Sequence, residues 1–179
     1  MKTSSRILTV VTVLVLSIGC DQLVKQVAGA LLRFSLPISI LNDFIILQYA
    51  ENRGVMLSIG AALSPGARFW IFIVAVGVLL LAMLIYVLMS KEMDRMQAVA
   101  WTLIVSGGVG NLIDRMMRDG VVIDFVSVGF GVVRTAVFNL ADVLVFAGVF
   151  FLLIHGRGRK SGPAPMSASG NENSISSGH

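Results

Sequence analysis

The sequence predicts an integral membrane protein with an all-α core of four transmembrane helices, a small extracytoplasmic β-sheet and an interfacial element beside it. Composition and the distribution of apolar residues both support this class. The 179-residue chain is 56% hydrophobic and only 13% charged, whereas soluble domains carry about 25% charged residues. Its apolar residues form four long runs that are separated by shorter polar segments.

The four apolar runs define the predicted helices. The first run, 7–20, is shorter than the roughly 20 residues that cross a bilayer, so its helix must continue through Asp21 and towards Lys25. The second run, 69–90, is the cleanest because it extends over 22 residues without a charge, and the fourth is interrupted only by Asn139 and Asp142. The predicted transmembrane helices cover about 7–26, 69–90, 96–114 and 135–155.

The region 33–62 is too polar and too broken to cross a membrane. Residues 38–40 and 44–49 alternate as short strands do, and turn signals stand at Pro37, at Asn42 and at Asn52. We predict a small sheet at the outer membrane interface. The segment 115–134 mixes glycines with short apolar stretches, which predicts another interfacial element on the periplasmic side.

The distribution of basic residues indicates the orientation of the chain. Lysines and arginines near the termini and in the loop 91–95 are packed into short segments next to the predicted spans, whereas the others are spread over two longer loops. The positive-inside bias acts on short flanking segments, so we expect both termini in the cytoplasm. The predicted membrane domain covers 1–158, and the polar segment 159–179 is a predicted disordered cytoplasmic tail.

Some classes of function are excluded by composition. One cysteine cannot form a disulfide framework or a multi-cysteine metal site, and His155 and His179 have no metal-ligand spacing. No metal and no cofactor are therefore expected. The net charge of +4 is small and does not indicate nucleic-acid binding.

Two aspartates lie where a carboxylate is costly. Asp142 falls within the fourth apolar run and Asp124 lies shortly before that run. A charged group at bilayer depth costs about 2.5–3.5 kcal/mol, so a function that uses it is the better interpretation. Two carboxylates that meet can share a proton and activate water, as in aspartic hydrolases. From the residues alone, proton relay, ion coordination and hydrolysis all stay open for Asp142.

Other polar residues at the outer ends of the predicted helices can join these aspartates in one pocket. Their spacing of three or four residues places partners on one helix face. The set consists of Asp21 with Lys25, Asn111 with Arg115, and Asn139 with Asp142, together with Asn52 beside Gly54.

Simpler interpretations are open for several members of this set. Asp21 and Lys25 can be a plain ion pair, and Asn52 before Gly54 is an ordinary turn signal. The small residues 107–110 favour close helix packing over a binding loop.

Five motifs in order make the chain similar to a known family. Residues 21–25, 51–54, 107–115, 122–125 and 138–142 read DQLVK, ENRG, GGVGNLIDR, VIDF and FNLAD. Over about 15–155 the chain resembles lipoprotein signal peptidase, or signal peptidase II, a family of aspartic endopeptidases of the bacterial inner membrane. The stretch 55–58 departs from the family pattern, which bears on the shape of the substrate groove and not on the chemistry.

The resemblance implies a substrate, a site and an inhibitor. The substrate is a prolipoprotein with a diacylglyceryl-modified cysteine, and the bond before that cysteine is cleaved. Asp124 and Asp142 match the catalytic pair near the periplasmic face. The supporting positions are Asp21, Lys25, Asn52, Gly54, Asn111, Arg115 and Asn139. Globomycin is the expected inhibitor, membrane lipid the surroundings, and a monomer the expected state.

Two alternatives belong to other classes. A transporter or channel would use Asp142, Asp21 and Lys25 as an ion path, but the polar groups gather at one end of the spans. The chain could itself be a lipoprotein cleaved at Cys20, since basic residues, an apolar stretch and Gly19 precede that cysteine. The three further apolar runs disfavour that interpretation.

Overall fold

The computed structural model describes residues 3–54, 60 and 62–159. The segment 55–58, where the sequence departs from the family pattern, and the tail from residue 160 lie outside these residues. The helices are α1 (Thr3–Leu32), α2 (Pro65–Phe69), α3 (Val76–Met89), α4 (Arg95–Met117) and α5 (Leu140–Arg159). The strands are β1 (Ile38–Ile40), β2 (Ile45–Asn52), β3 (Val122–Phe130) and β4 (Val133–Arg134).

Three helical stretches in the described part of the chain are long and apolar enough to cross a membrane. They are Thr3–Leu32, Pro65–Met89 and Arg95–Met117. The second combines α2 and α3, which a π-helical segment, Trp70–Ala75, joins without a break. The apolar part of α5, Leu140–His155, is shorter. The prediction of several apolar helices is confirmed, while the count of four spans stays a prediction.

The start of α5 differs from the sequence-based expectation of a helix over 135–155. Residues 135–138 pair with β3 instead: the Phe138 carbonyl accepts from the Phe125 and Val126 N–H groups, both at 3.0 Å. Asn139 then begins the helix, because its Oδ1 accepts the Asp142 N–H at 3.1 Å while Asp142 Oδ2 accepts the Asn139 N–H at 3.1 Å. This reciprocal pair is a capping box. Asp142 therefore lies in the first turn of α5 and not deep inside an apolar helix.

The predicted small sheet is present and has four antiparallel strands in the order β1-β2-β3-β4. β2 comes from the region 33–62 and β3 from the segment 115–134, for which the sequence predicts a separate interfacial element. Their pairing places Ala50 opposite Asp124, after a register shift between Leu47 and Ala50. The two segments are thus one structural unit, because β2 and β3 satisfy each other's backbone groups.

α4 is the central helix and packs against α1, α3 and α5. Glycines allow the closest approach to α5: a Cβ on Gly107 would lie 2.3 Å from the Ala141 carbonyl oxygen, and one on Gly148 would lie 2.5 Å from that of Ala100. On α1 the buried stripe includes Asp21, Lys25, Ala28 and Leu32. Its last two residues pack with Phe125 of β3. The sheet is therefore held over the ends of α1 and α4.

Candidate active site

Asp124 lies in β3 and is almost fully buried, with 3% of its surface exposed. Asn139 donates to its Oδ1 at 2.6 Å, and Asn52 donates to its Oδ2 at 3.0 Å. Burial raises the pKa of Asp124 to about 6, with a further increase from the nearby charge of Asp142, while the two amide donors oppose the shift. The group therefore exchanges its proton near neutral pH.

Asp142 faces the same space from the first turn of α5. Asn111 of α4 donates to its Oδ1 at 3.0 Å, and the Asn139 backbone N–H donates to its Oδ2 at 3.1 Å. Together with the donors to Asp124, one N–H group reaches each of the four oxygens of what we term the carboxylate pair, Asp124 and Asp142. Such fixed donors hold both carboxylates in one orientation.

Groups that can only donate set the direction of the three site amides. The Gly54 N–H donates to Asn52 Oδ1 at 3.0 Å, and the Asp142 N–H donates to Asn139 Oδ1 at 3.1 Å. The Lys25 ammonium donates to Asn111 Oδ1 at 2.8 Å. Because each amide oxygen is engaged in this way, each amide N–H₂ group points towards the carboxylate pair.

Arg115 connects the loop after β2 to α4. Its Nη2 donates to the Gly54 carbonyl at 2.7 Å and its Nη1 to the Asn111 carbonyl at 3.3 Å. The guanidinium carbon also lies 5.6 Å from the centre of the Phe72 ring, within the range of a cation–π contact. Phe72 lies in the π-helical segment and was not a sequence-based candidate.

Lys25 is fully buried and lies between two carboxylates. Its Nζ is 2.9 Å from Asp21 Oδ2 and 3.0 Å from Asp114 Oδ2, and all three side chains have no exposed surface. The predicted pairing of Asp21 with Lys25 is present, but it is one part of a larger cluster. Asp114 was missed, although its position three residues after Asn111 and four before Arg118 places it on a shared helix face.

All nine residues predicted for the site lie in one hydrogen-bonded network. Lys25 connects Asp21 to Asn111, the amides connect Asn111 to both aspartates, and Arg115 connects Gly54 back to Asn111. The structure brings these residues together, and their individual roles stay predictions. No group of three or more His, Cys, Asp or Glu side chains within the described ranges could hold a metal ion.

A cavity of about 680 Å³ lies next to the carboxylate pair. Its polar end is formed by the pair with Asn52, Asn111 and Arg115, and its larger part is apolar. The apolar lining includes Phe72, Val76, Phe138, Val143 and Phe146. A ligand with an apolar portion and a polar reacting bond fits such a cavity.

Two solved structures share the fold of this chain. A solved bacterial membrane enzyme has the same fold, with a TM-score of 0.73, 23% sequence identity, and coverage of 86% of this chain and 90% of that chain. A second solved bacterial membrane enzyme superposes with a TM-score of 0.70 at 22% identity, covering 82% of this chain and 91% of its own.

Sequence comparison then identifies the family. The model of signal peptidase (SPase) II matches residues 13–156. The lipoprotein signal peptidase of Clostridioides difficile is 37% identical over 146 residues, which are 81% of this chain and 92% of that protein. That of Pelodictyon phaeoclathratiforme is 34% identical over 152 residues, 80% of this chain and 86% of the relative. The chain belongs to the signal peptidase II family, and it is a membrane peptidase of lipoprotein processing.

The family assignment confirms the resemblance drawn from the five motifs. It also decides against the transporter interpretation of Asp142, Asp21 and Lys25. In the structure these residues meet at one end of the helices, next to the sheet, and not along a path through the membrane.

Proposed function

We propose that this protein is an aspartic endopeptidase that cleaves diacylglyceryl-modified prolipoproteins immediately before the lipidated cysteine. Asp124 and Asp142 are the catalytic pair in this proposal. The observation that carries it is the carboxylate pair itself, with an N–H donor on each of its four oxygens at the polar end of a largely apolar cavity. The names of the relatives, lipoprotein signal peptidases, support the substrate class.

The reaction needs one ionised and one protonated carboxyl group. The ionised group takes a proton from water as the water oxygen attacks the scissile carbonyl carbon. The protonated group donates its proton to the carbonyl oxygen. In the second half, the carboxyl group that took the proton from water donates it to the amide nitrogen and the C–N bond of the gem-diol breaks. The other carboxylate takes a proton from a diol hydroxyl, which restores the starting protonation state of the pair. General acid–base assistance of this kind supplies about 10²–10⁴-fold in rate. The pKa of about 6 for Asp124 suits a group that must both hold and release a proton.

The supporting residues have distinct tasks in this mechanism. Asn52, Asn111 and Asn139 orient the carboxylates through their amides, while Arg115 holds the Gly54 loop beside the cavity. The apolar lining receives the lipid-proximal part of the substrate, whose acyl chains stay in the bilayer. Membrane lipid is thus part of the substrate's surroundings, and globomycin, the expected inhibitor, would occupy the same cavity.

The distribution of basic residues along the chain supports the proposed location. The protein lies in the bacterial inner membrane as a monomer with both termini in the cytoplasm, and the carboxylate pair lies near the periplasmic face. Substrate cysteines are presented at that surface, so a site beside an interfacial sheet meets the scissile bond without drawing it into the bilayer.

Cleavage by purified protein tests the proposal. A diacylglyceryl-modified prolipoprotein is incubated with the wild type, Asp124→Asn or Asp142→Asn, with and without globomycin, and loss of the signal peptide is followed on a gel. Asp43→Asn is the matched control, because Asp43 is exposed and lies outside the site. We expect globomycin-sensitive cleavage by the wild type and the control, and none by the two site variants.

Two results would contradict the proposal. One is near-normal turnover by a folded Asp124→Asn or Asp142→Asn protein, which would reject the carboxylate pair as catalytic. The other is an inactive wild type when a known signal peptidase II cleaves the same substrate preparation, which would reject the substrate and bond. Mass spectrometry of the product separates cleavage before the cysteine from cleavage elsewhere.

A further inference from the structure

A second pair of carboxylates lies next to the site and is distinct from the catalytic pair. Asp21 of α1 and Asp114 of α4 have no exposed surface, and the Lys25 ammonium lies between them at 2.9 and 3.0 Å. We term these three residues the buried clamp. The proposed reaction uses none of them.

Each carboxylate of the buried clamp binds a backbone group next to one member of the catalytic pair. Asp21 Oδ1 accepts the N–H of Ala141, the residue before Asp142, at 2.9 Å. Asp114 Oδ2 accepts the N–H of Ile123, the residue before Asp124, at 3.2 Å. The two contacts are equivalent in kind, although Ala141 lies in α5 and Ile123 in β3.

Lys25 of the buried clamp is also connected to the catalytic pair, through the side chain of Asn111. Lys25 donates to Asn111 Oδ1 at 2.8 Å, and Asn111 then donates to Asp142 Oδ1 at 3.0 Å. The other two site amides are oriented by backbone N–H groups, whereas Asn111 is oriented by side chains, the Lys25 ammonium and the Asn139 amide. Removing the Lys25 ammonium therefore removes one of the two side-chain donors that orient the Asn111 amide towards Asp142.

From these contacts we infer that Asp114 is a positioning residue of the active site, and that the buried clamp sets the separation of Asp124 and Asp142. A common cation links the two anions, and each anion fixes the backbone beside one aspartate of the pair. The inference rests on the proposed function for its catalytic consequence. Its structural consequence, a β3 backbone held by Asp114, is independent of that function.

A plain ion pair that closes a helix end does not explain this arrangement. Burying three charges is costly, and apolar side chains of similar volume often stabilise a fold as well or better. Two further neighbours add to the Asp114 contacts: Gln22 donates to its Oδ1 at 3.2 Å, and Arg118 bonds to the same oxygen. What apolar residues could not supply is an acceptor for the Ile123 and Ala141 N–H groups.

Two substitutions of Asp114 separate the effect of losing the hydrogen-bond acceptor from the effect of changing the side-chain volume. Asp114→Asn keeps an oxygen that can accept from the Ile123 N–H, whereas Asp114→Leu keeps a similar shape without any acceptor. We expect Asp114→Leu to lose about 100-fold in kcat with KM within about twofold, since small displacements of catalytic groups cost rates of this order. Asp114→Asn should stay within about tenfold of the wild type.

Hydrogen exchange measured by mass spectrometry tests the contact between Asp114 and the Ile123 N–H independently of enzyme activity. The peptide that contains Ile123 should exchange faster in Asp114→Leu than in the wild type, and Asp114→Asn should lie close to the wild type. An unchanged exchange rate together with unchanged kcat in a folded Asp114→Leu protein would overturn the inference. An altered exchange rate in Asp114→Leu with a wild type that cuts no prolipoprotein would support the clamp and reject the proposed function.

Lys25→Met tests the role of Lys25 through the pH dependence of kcat, which a purely structural role would leave unchanged. The charged groups that face Asp124 are Asp142 from α5, Lys25 from α1 and Arg115 from α4, and the positive charge of Lys25 lowers the pKa of Asp124. Its removal should raise the pKa of Asp124 and so shift the limb of the pH profile of kcat that Asp124 controls, near pH 6, to higher pH. Arg33→Met, which removes an exposed cation just beyond α1, should leave the limb in place. A limb that is identical in Lys25→Met and the wild type would overturn the role assigned to Lys25.

Discussion

Asp124 and Asp142 line the same cavity but lie in different types of secondary structure, a strand and a helix. Asp124 is held in a strand whose neighbours bury it, so its pKa rises to about 6. Asp142 belongs to a capping box at the start of α5, where it also helps to begin the helix. Two carboxyl groups in unlike environments are the usual basis for separate acid and base roles.

The raised pKa of Asp124 predicts a dependence of stability on pH. The folded state holds the proton more tightly than the unfolded chain, so the stabilisation is complete below pH 3.8 and is lost as the pH rises to about 6. A shift of this size corresponds to roughly 3 kcal/mol in the free energy of unfolding. Asp124→Asn cannot ionise, so we expect it to unfold at a higher temperature than the wild type at pH 7.5.

Thermal unfolding in detergent at two pH values checks this prediction. The advantage of Asp124→Asn should shrink towards zero at pH 3.5, where the wild-type carboxyl is protonated in both states. Asp43→Asn is the exposed control and should show no such trend. A wild type that is the more stable protein at pH 7.5 would show that burial of Asp124 is not costly.

The contact between the helices α4 and α5 affects the geometry of the site, because α4 carries Asn111 and α5 carries Asp142. Gly107 lets the helices meet: a Cβ there would lie 2.3 Å from the Ala141 carbonyl oxygen and 2.7 Å from Val145 Cγ2. Ala141 is also the residue whose N–H binds Asp21. The packing of these two helices and the geometry of the site are therefore linked.

Gly107→Ala should push α5 away from α4. We expect a loss of about 1–3 kcal/mol in stability, the usual cost of overpacking, together with a fall in cleavage rate as Asp142 moves away from Asn111. Gly19→Ala is the matched control because nothing lies within 4 Å of its Cβ position, and alanine favours a helix over glycine. Thermal unfolding and cleavage rates measure both effects. Equal stability of the two variants would argue against close packing at Gly107.

At the scale of the whole molecule, the sheet, the cavity and the carboxylate pair lie at one end of the helices. The opposite end is closed by an apolar cluster of Val10, Val87, Met93 and Ala98. There Asp94 caps α4 and contacts His155 of α5 at 2.6 Å. The two ends differ in chemistry, so the orientation of the chain in the membrane decides where the reaction takes place.

Cysteine labelling tests the proposed orientation. In a Cys20→Ser background, a single cysteine is introduced at Val132, which is fully exposed between β3 and β4, or at Lys91, which is exposed between α3 and α4. A membrane-impermeant maleimide added to intact spheroplasts should label Val132→Cys at once. It should label Lys91→Cys only after the membrane is opened. The reverse pattern would place the carboxylate pair on the cytoplasmic side.

Much of the candidate site could be predicted from the sequence, because its residues stand in short motifs with helical spacing. Asp21 with Lys25 and Asn111 with Arg115 were each paired by their separation of four residues. Asp114 stands in the same motif as Asn111, but its position between Ile113 and Arg115 does not show which backbone N–H group its carboxylate will bind. Ile123 is nine residues away and Lys25 is 89 residues away, so no local pattern relates them to Asp114.

The sequence by itself determined the class of protein, the apolar helices, the strand character of the region 33–62 and the two candidate aspartates. Each of these depends on composition or on a repeat within a few residues. Only the tertiary structure decided that α5 begins at Leu140, that β2 pairs with β3, and that Asp114 holds the backbone beside Asp124. These features depend on hydrogen bonds between distant segments, which form only when the packing of α1, α4 and the sheet brings donor and acceptor together.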